Sequence, residues 1–90
     1  MERHRLVAAG NTMAPAVLVL ERLGFAVSRD TGAAEGLEWR AVNSSLEVRG
    51  DDPVQLLGLV VLYQQRGSEW RASDDEIQAF IAKHHPEQGR

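Results

Sequence analysis

The sequence predicts a single α+β domain of order α-β-β-β-α-α, with helices packed on one face of a three-stranded antiparallel meander. Two observations predict this class: the apolar spacing changes from helical to alternating after Gly24, and a later stretch, 52–67, carries both end signals of a helix. Ninety residues suffice for one small core. We expect a domain at 12–85, a tail or short edge strand at 1–11, and a C-terminal tail at 86–90.

The first helix is predicted to begin at Asn11 or Thr12, either of which is a common N-cap residue. Pro15 falls in the first turn, where a missing N–H costs little. Gly24 is placed as a left-handed terminator, with Phe25 folding back as its hydrophobic contact. The apolar face at helical spacing consists of Met13, Ala16, Val17, Leu20 and Leu23.

Three strands are predicted at 25–29, 37–42 and 46–49, because polar and apolar residues alternate in each run. The first connection contains Asp30-Thr31-Gly32 and the second Asn43-Ser44, which are turn-forming compositions. One face of the meander is apolar, as expected for an antiparallel sheet with one covered face. The polar face carries Ser28, Glu38, Arg40, Glu47 and Arg49.

The central helix has Asp52 as its N-cap, Pro53 at the first helical position and Gln55 in place for a capping box, and it ends at Gly67. Its side chains are apolar in nearly every direction, so it must be covered on at least two sides. Gly58 in its middle is interpreted as a site of close approach by a neighbouring backbone.

A last helix is predicted after the capping box Ser73-Asp74-Asp75-Glu76 and before Pro86. Its apolar face consists of Ile77, Phe80 and Ile81. We expect the first and central helices to lie on the sheet and the last helix to pack over the central one.

Composition excludes several classes of function. The chain has no cysteine, which excludes disulfides and thiol chemistry. The net charge of −3 lies entirely in residues 51–90, which carry seven acids and four bases, so an electrostatic partner there would be basic. Neither a signal peptide nor a membrane-spanning run is evident, and we expect a cytoplasmic protein with no membrane partner.

Few residues could carry chemistry. His84 and His85 are adjacent and do not form a chelating pair in the way an i, i+4 pair does. The acids at 51–52 and 74–76 could form a divalent-metal site or an acid/base pair if the two helix starts met, but helix capping also explains both clusters. The sequence therefore predicts no catalytic residue, no metal site and no cofactor.

The candidate binding residues are aromatic, acidic or basic. Trp39 is expected in the core, whereas Trp70 either plugs a gap between two helices or stands exposed as an interface anchor. Asp74 and Asp75 are candidates for contact with a basic partner. The arginines that could form a binding face on the open side of the sheet are Arg29, Arg40 and Arg49.

The helix, meander and helix over 12–66, including the stretch ERLGFAVSRDTG, resemble in topology the double-stranded RNA-binding fold and the mRNA-interferase toxins built on it. The resemblance implies a catalytic histidine for the toxins, yet no histidine lies between His4 and His84. It implies lysines at the start of the second helix for RNA binding, where this chain has Asp51-Asp52-Pro53. The phrases GNTMAPAVLVLERLGF and DDPVQLLGLVVLYQQRGSEWRASDDEI resemble small bacterial proteins of unknown function, which implies a shared fold.

These observations favour a non-enzymatic protein–protein interaction module, of the immunity or antitoxin type or a homodimer, whose partner is a basic protein or a second copy of the chain. Nucleic acid is not the expected ligand. Two alternatives remain open: an RNA-binding domain that uses the arginine-bearing sheet face, and a carrier of a small apolar ligand between helices and sheet.

Overall fold

The described part of the chain forms an open three-stranded antiparallel sheet with three α-helices, in the predicted order α-β-β-β-α-α. The computed structural model describes residues 3–33 and 35–84. The helices are α1 (Met13–Arg22), α2 (Pro53–Arg66) and α3 (Asp74–His84), and the strands are β1 (Ala26–Arg29), β2 (Trp39–Val42) and β3 (Glu47–Gly50). Two short 3-10 turns cover Gly10–Thr12 and Gly67–Glu69.

The N-terminal end of α1 differs from the prediction. Thr12 has helical dihedral angles and does not cap the helix with its side chain; its hydroxyl donates instead to the carbonyl of Ala9 at 2.6 Å. A 3-10 turn at Gly10–Thr12 therefore leads into α1. Residues 3–9 are exposed and form neither helix nor strand, so the predicted alternative of a short edge strand is not seen in them.

The C-terminal end of α1 is the predicted glycine terminator. Gly24 has a φ of 96°, in the left-handed region that glycine adopts readily. The Phe25 N–H donates to the Leu20 carbonyl at 3.0 Å and the Gly24 N–H to the Glu21 carbonyl at 3.0 Å, which together make a Schellman motif. Leu20 and Phe25 are both buried, so this ending also delivers two side chains to the core.

The sheet has the strand order β1-β2-β3, with both pairs antiparallel. Val27, Ala41 and Val48 lie side by side in one row and face the helices. The row of Ser28, Arg40 and Arg49 lies on the opposite face, as predicted. The second turn is closed by Asn43, whose Oδ1 accepts from the N–H groups of Ser45 and Leu46 at 2.9 and 2.8 Å.

The core lies between the sheet, α1 and α2. It is small, because both helices contribute only one or two turns to it. Half-buried apolar side chains, including Trp39, pack around it, which confirms the expected place of that tryptophan. The buried cluster consists of Leu20, Phe25, Ala41, Val48, Leu56 and Val60.

Both ends of α2 lie where the sequence predicts them, although the return bond of Gln55 goes to the residue before the cap instead of to Asp52. The Asp52 carboxylate accepts from the Gln55 N–H at 2.9 Å, and the Gln55 side chain accepts in return from the Asp51 N–H at 2.7 Å. The helix ends at Gly67, where φ is 63°. Gly50 lies against this helix start: a Cβ there would be 3.2 Å from Gln55 Cβ, so the close approach occurs at Gly50.

The interpretation of Gly58 as a close approach is wrong. Gly58 is exposed, and among the described residues, apart from its two chain neighbours and the backbone of its own helix, no heavy atom lies within 4 Å of the position a Cβ would take. The glycine therefore faces open space.

The prediction that α3 covers α2 is also wrong. The buried face of α2 lies on the sheet and α1, whereas Val61, Leu62 and Tyr63 on its other sides are 41–45% exposed. All residues of α3 are exposed except the half-buried Ile81. The first turn of α3 is fixed by polar contacts, in which the Glu76 carboxylate accepts from Arg66 and from the Ser73 N–H. The proposed stop at Pro86, the boundary at residue 85 and the tail at 86–90 lie outside the described residues.

Candidate functional site

A groove runs along the free edge of β3, which is the last strand of the sheet. Its volume is about 190 Å³ and it is open to solvent. Most of its lining side chains are apolar or aromatic, and the two charged ones belong to the polar face of the sheet. The lining residues are Leu46, Glu47, Val48, Arg49, Leu59, Tyr63 and Trp70.

Three elements build the groove. β3 and the residue before it supply Val48 and Leu46, which point toward the helix side because they are two apart in the strand. α2 supplies Leu59 and Tyr63, four residues apart and therefore stacked on one helix face. Trp70 follows the 3-10 turn after α2 and lines the same groove.

Within residues 3–33 and 35–84, the backbone of β3 has hydrogen-bonding groups without a partner along this groove. The Asn43 N–H donates to the Leu46 carbonyl at 2.9 Å, and antiparallel pairs alternate from there between bonded and non-bonded. Val48 therefore bonds to β2 through Ala41, whereas the N–H and C=O groups of Glu47 and Arg49 point away from β2. β3 is thus an edge strand able to accept another strand.

Glu47 links the two arginines of the polar face. Arg49 Nε lies 2.8 Å and Arg40 Nε 3.8 Å from the Glu47 carboxylate oxygens. The hydrogen bond from Arg49 lowers the pKa of the Glu47 carboxyl below its usual value of 4.5, assisted by the charge of Arg40 and opposed by desolvation. Within the described chain, the Nε atom of Arg40 is buried without a hydrogen-bond partner, so the charge attraction to Glu47 is what compensates it.

Arg29 does not share a face with Arg40 and Arg49, so the expected three-arginine face is not formed. It lies opposite Trp39 in the β1–β2 register, in the row that ends at Gly50 on the helix side of the sheet. Its guanidinium is 5.7 Å from the centre of the Trp39 ring and 3.1 Å from the Glu38 carboxylate. The alternation in 25–29 already assigned Arg29 to the same sheet face as Phe25 and Val27. The prediction that grouped the three arginines did not take this into account.

Trp70 is half-buried, which is intermediate between the two predicted alternatives of a buried plug and an exposed interface anchor. One part of its surface lines the groove beside Tyr63 and Leu59. The Arg71 guanidinium lies 5.2 Å from the ring centre. The residue therefore closes part of the gap beyond α2 and still presents surface to a ligand in the groove.

Asp74 and Asp75 are exposed in the first turn of α3 and take no part in the groove. The capping box is formed as predicted, with the Ser73 N–H donating to the Glu76 carboxylate at 2.8 Å and the Glu76 N–H donating to the Ser73 hydroxyl at 3.1 Å. Over residues 3–33 and 35–84, no three His, Cys, Asp or Glu side chains are grouped closely enough to hold a metal ion. The acids at 51–52 and 74–76 therefore do not form a joint metal site.

The described histidines lie away from the groove. His84 is exposed on the last turn of α3, with its ring centre 4.9 Å from that of Phe80. His4 lies in the exposed segment 3–9. His85 is outside the described residues.

The comparisons with known proteins add no assignment: no family model matches the chain, and no curated protein or solved structure matches it either. The resemblance to the RNA-binding and interferase-toxin fold and to small bacterial proteins is therefore unsupported beyond the class of a small α+β fold. In the described part of the chain, none of the helices has the length and apolar character required to cross a membrane.

Proposed function

We propose that this protein is a non-enzymatic protein–protein interaction module that binds a polypeptide strand along the edge of β3. The observation that carries the proposal is the combination of unused N–H and C=O groups at Glu47 and Arg49 with an apolar groove directly beside them. An added strand would gain main-chain hydrogen bonds from the edge, and alternate side chains of that strand would enter the groove.

The groove suits this role in size and composition. Small-molecule pockets usually enclose about 300–1,000 Å³. The β3 groove has about 190 Å³ and is partly open to solvent, which fits one or two side chains of a strand better than an enclosed ligand. The aromatic rings of Tyr63 and Trp70 on its wall are of the kind that contributes strongly at protein interfaces. For these reasons we prefer strand binding to the carrier function.

The charges on the open sheet face support the same choice over RNA binding. Arg40 and Arg49 both interact with the Glu47 carboxylate, which neutralises part of their charge. Arg29 is paired with Glu38 on another part of the surface. A phosphate backbone would have to displace these acids, so the arginines serve better as part of a mixed-charge strand edge.

A photo-crosslinking experiment tests the proposal. A photoreactive benzoylphenylalanine replaces Tyr63 in the groove or, as the matched control, Leu18, which is 61% exposed on α1. In the cells that produce the protein, we expect a discrete polypeptide adduct from position 63 and none from position 18. No adduct from position 63, or equal labelling from both positions, would contradict strand binding in the groove.

A second pair of variants tests the role of the backbone. Arg49→Pro removes an N–H that points away from β2, so it should leave the β2–β3 ladder formed while blocking an added strand. Arg49→Thr removes the same charge but keeps the N–H. We expect the position-63 adduct to disappear with Arg49→Pro and to persist with Arg49→Thr, with circular dichroism showing that both variants are folded.

A further inference from the structure

We infer that the strand which docks on β3 is the β3 strand of a second copy, paired antiparallel about a two-fold axis that passes beside Val48. This inference rests on the proposed strand-binding function and names its partner. Three properties of the strand carry it: the direction of its backbone groups, the order of its charges and the apolar residues beside them.

The backbone sets the register of such a pair. Within β3, Glu47 and Arg49 direct their N–H and C=O groups to the free edge. In an antiparallel pair, two residues exchange hydrogen bonds only when the N–H and C=O groups of each are directed at the other strand. With Val48 opposite Val48 of the second copy, Glu47 faces Arg49 of the second copy and Arg49 faces its Glu47. Each outward N–H and C=O group of Glu47 and Arg49 then meets a complementary group on β3 of the second copy.

The same register matches the charges. The strand reads Glu47-Val48-Arg49, which is complementary to itself when it is reversed. Each acid falls directly opposite a base on the polar face, where opposite charges on neighbouring strands attract. Arg49 would then lie between Arg40 of its own chain and Glu47 of the second copy, which relieves the like-charge contact between Arg40 and Arg49 in the single sheet.

The helix-side residues also fit. The two Val48 side chains would meet at the axis and extend the row of Val27 and Ala41 into one continuous apolar row across both sheets. Leu46 would fall opposite Gly50 of the second copy, beside the Gln55 and Leu56 side chains that pack over that glycine. The two grooves would adjoin along this axis, so side chains left exposed in one copy, such as Tyr63, would be covered by the other copy.

The other edge of the sheet is less suited to self-pairing. On β1, the outward-directed residues are Val27 and Arg29, because the Asp30 N–H bonds to the Glu38 carbonyl and the ladder alternates from there. An antiparallel pair about Ser28 would place Val27 opposite Arg29. This pairing would set an apolar side chain against an arginine that is already paired with Glu38 at 3.1 Å. Of the two edge strands, β3 is therefore the one that is complementary to itself.

Charge-reversal variants test this register. Glu47→Arg alone would create two base–base contacts across the axis, and Arg49→Glu alone would create two acid–acid contacts. Each variant alone should therefore dimerise on the order of tenfold or more weakly than the original protein. Mixing the two variants pairs only acids with bases, so we expect the mixture to form a heterodimer with affinity near the original. Sedimentation velocity and native mass spectrometry with one variant isotopically labelled measure this.

The outcomes separate the inference from the proposed function. Recovery on mixing shows that both variants are folded and that the two positions face each other. A protein that stays monomeric up to about 1 mM would overturn the inference, as would dimers that ignore both charge reversals. If the protein is monomeric, an adduct between position 63 and a different polypeptide would still support the proposed strand binding. If no adduct forms either, both the proposed function and the dimer are contradicted.

A crosslink supplies an independent check. The chain has no cysteine, so Val48→Cys introduces a single thiol, at the position that faces itself in a non-hydrogen-bonded pair. The Cα separation of such a pair, about 4.5 Å, is within the range that a disulfide bridges. Mild oxidation should give a covalent dimer with Val48→Cys and none with the control Ser28→Cys, which lies on β1. Equal crosslinking of both would contradict the two-fold axis at Val48.

Discussion

One nitrogen of the Arg66 guanidinium, Nη2, donates to both carboxylate oxygens of Glu76, at 2.8 and 2.9 Å. Arg66 is the last residue of α2 and Glu76 lies in the first turn of α3, so the pair joins the two helices. Glu76 also accepts from the Ser73 N–H in the capping box. A single carboxylate therefore orders the start of α3 and ties it to α2, for a helix that buries none of its own residues.

The first prediction concerns the pH dependence of this junction. The hydrogen bond from Arg66, followed by that from the Ser73 backbone, lowers the pKa of the Glu76 carboxyl below its usual value of 4.5. The stabilisation is therefore present above pH 4.5 and is lost as the pH falls through the lowered pKa. We expect the amide signals of α3 to report a local change in that acidic range when followed by NMR titration.

Glu76→Gln is the matched control, because glutamine keeps an acceptor for the Ser73 N–H but cannot titrate. The acidic transition in the α3 amide signals should be absent in this variant, while the change caused by Glu47 near β3 remains. An α3 transition at 4.5 or above in the original protein would show that the Arg66 contact is not formed in solution.

The second prediction is that Gly58→Ala stabilises the protein. Gly58 lies within α2 in open space, so the added methyl group meets no other part of the described chain and the unfolded state loses conformational freedom. We expect the free energy of unfolding to rise by about 0.5–1 kcal/mol. Urea denaturation at a fixed protein concentration measures the change. A loss of stability would indicate that the exposed side of α2 is covered in solution.

The third prediction is that the same substitution at Gly50 destabilises the protein. The new Cβ would lie 3.0 Å from Gln55 Oε1 and 3.2 Å from Gln55 Cβ. Gln55 cannot simply move away, because its side chain accepts a hydrogen bond from the Asp51 N–H at 2.7 Å. We expect a loss of about 1–3 kcal/mol in urea denaturation. Gly58→Ala is the control, and equal effects at the two glycines would contradict this packing.

The fourth prediction compares two leucines of α2. Leu56 is fully buried at the centre of the core, whereas Leu62 is 41% exposed. Leu56→Ala leaves a cavity and should cost about 2–5 kcal/mol of unfolding free energy. Leu62→Ala makes the same chemical change in the same helix without a cavity and should cost much less. Denaturant unfolding of both variants measures the difference, and similar losses would show that the helix is rotated from the orientation described.

Local signals in the sequence predicted much of the fold. The Gly24 terminator, the Asp52 cap, the Ser73–Glu76 capping box and the three alternating runs each depend on residues close together in the chain, and each was confirmed. The order of elements followed from them. Local signals could not predict the groove, because its lining residues come from β3, α2 and the turn after α2 and meet only in the folded protein. Of the groove residues, the sequence named Trp70 and Arg49 as candidates for binding, but it gave no signal that the two would share one site.

The errors arose where tertiary placement decides. The apolar composition of α2 suggested cover from two helices, yet the few apolar residues of α3 leave that helix exposed and held by the Arg66–Glu76 contact. Gly58 was interpreted as a close contact, whereas the contact is at Gly50, where β3 runs into the start of α2. Spacing within one helix or strand does not reveal which neighbour approaches it.

The order of the strands in the sheet has a consequence for how far association can proceed. Because β1, β2 and β3 lie in chain order, the two margins of the sheet are different strands with different sequences. A symmetric dimer formed through β3 uses this edge of the sheet in both molecules and leaves β1 as the outermost strand at each end. Continued growth into a filament would require a second, unlike contact at β1, so this geometry terminates at a closed pair.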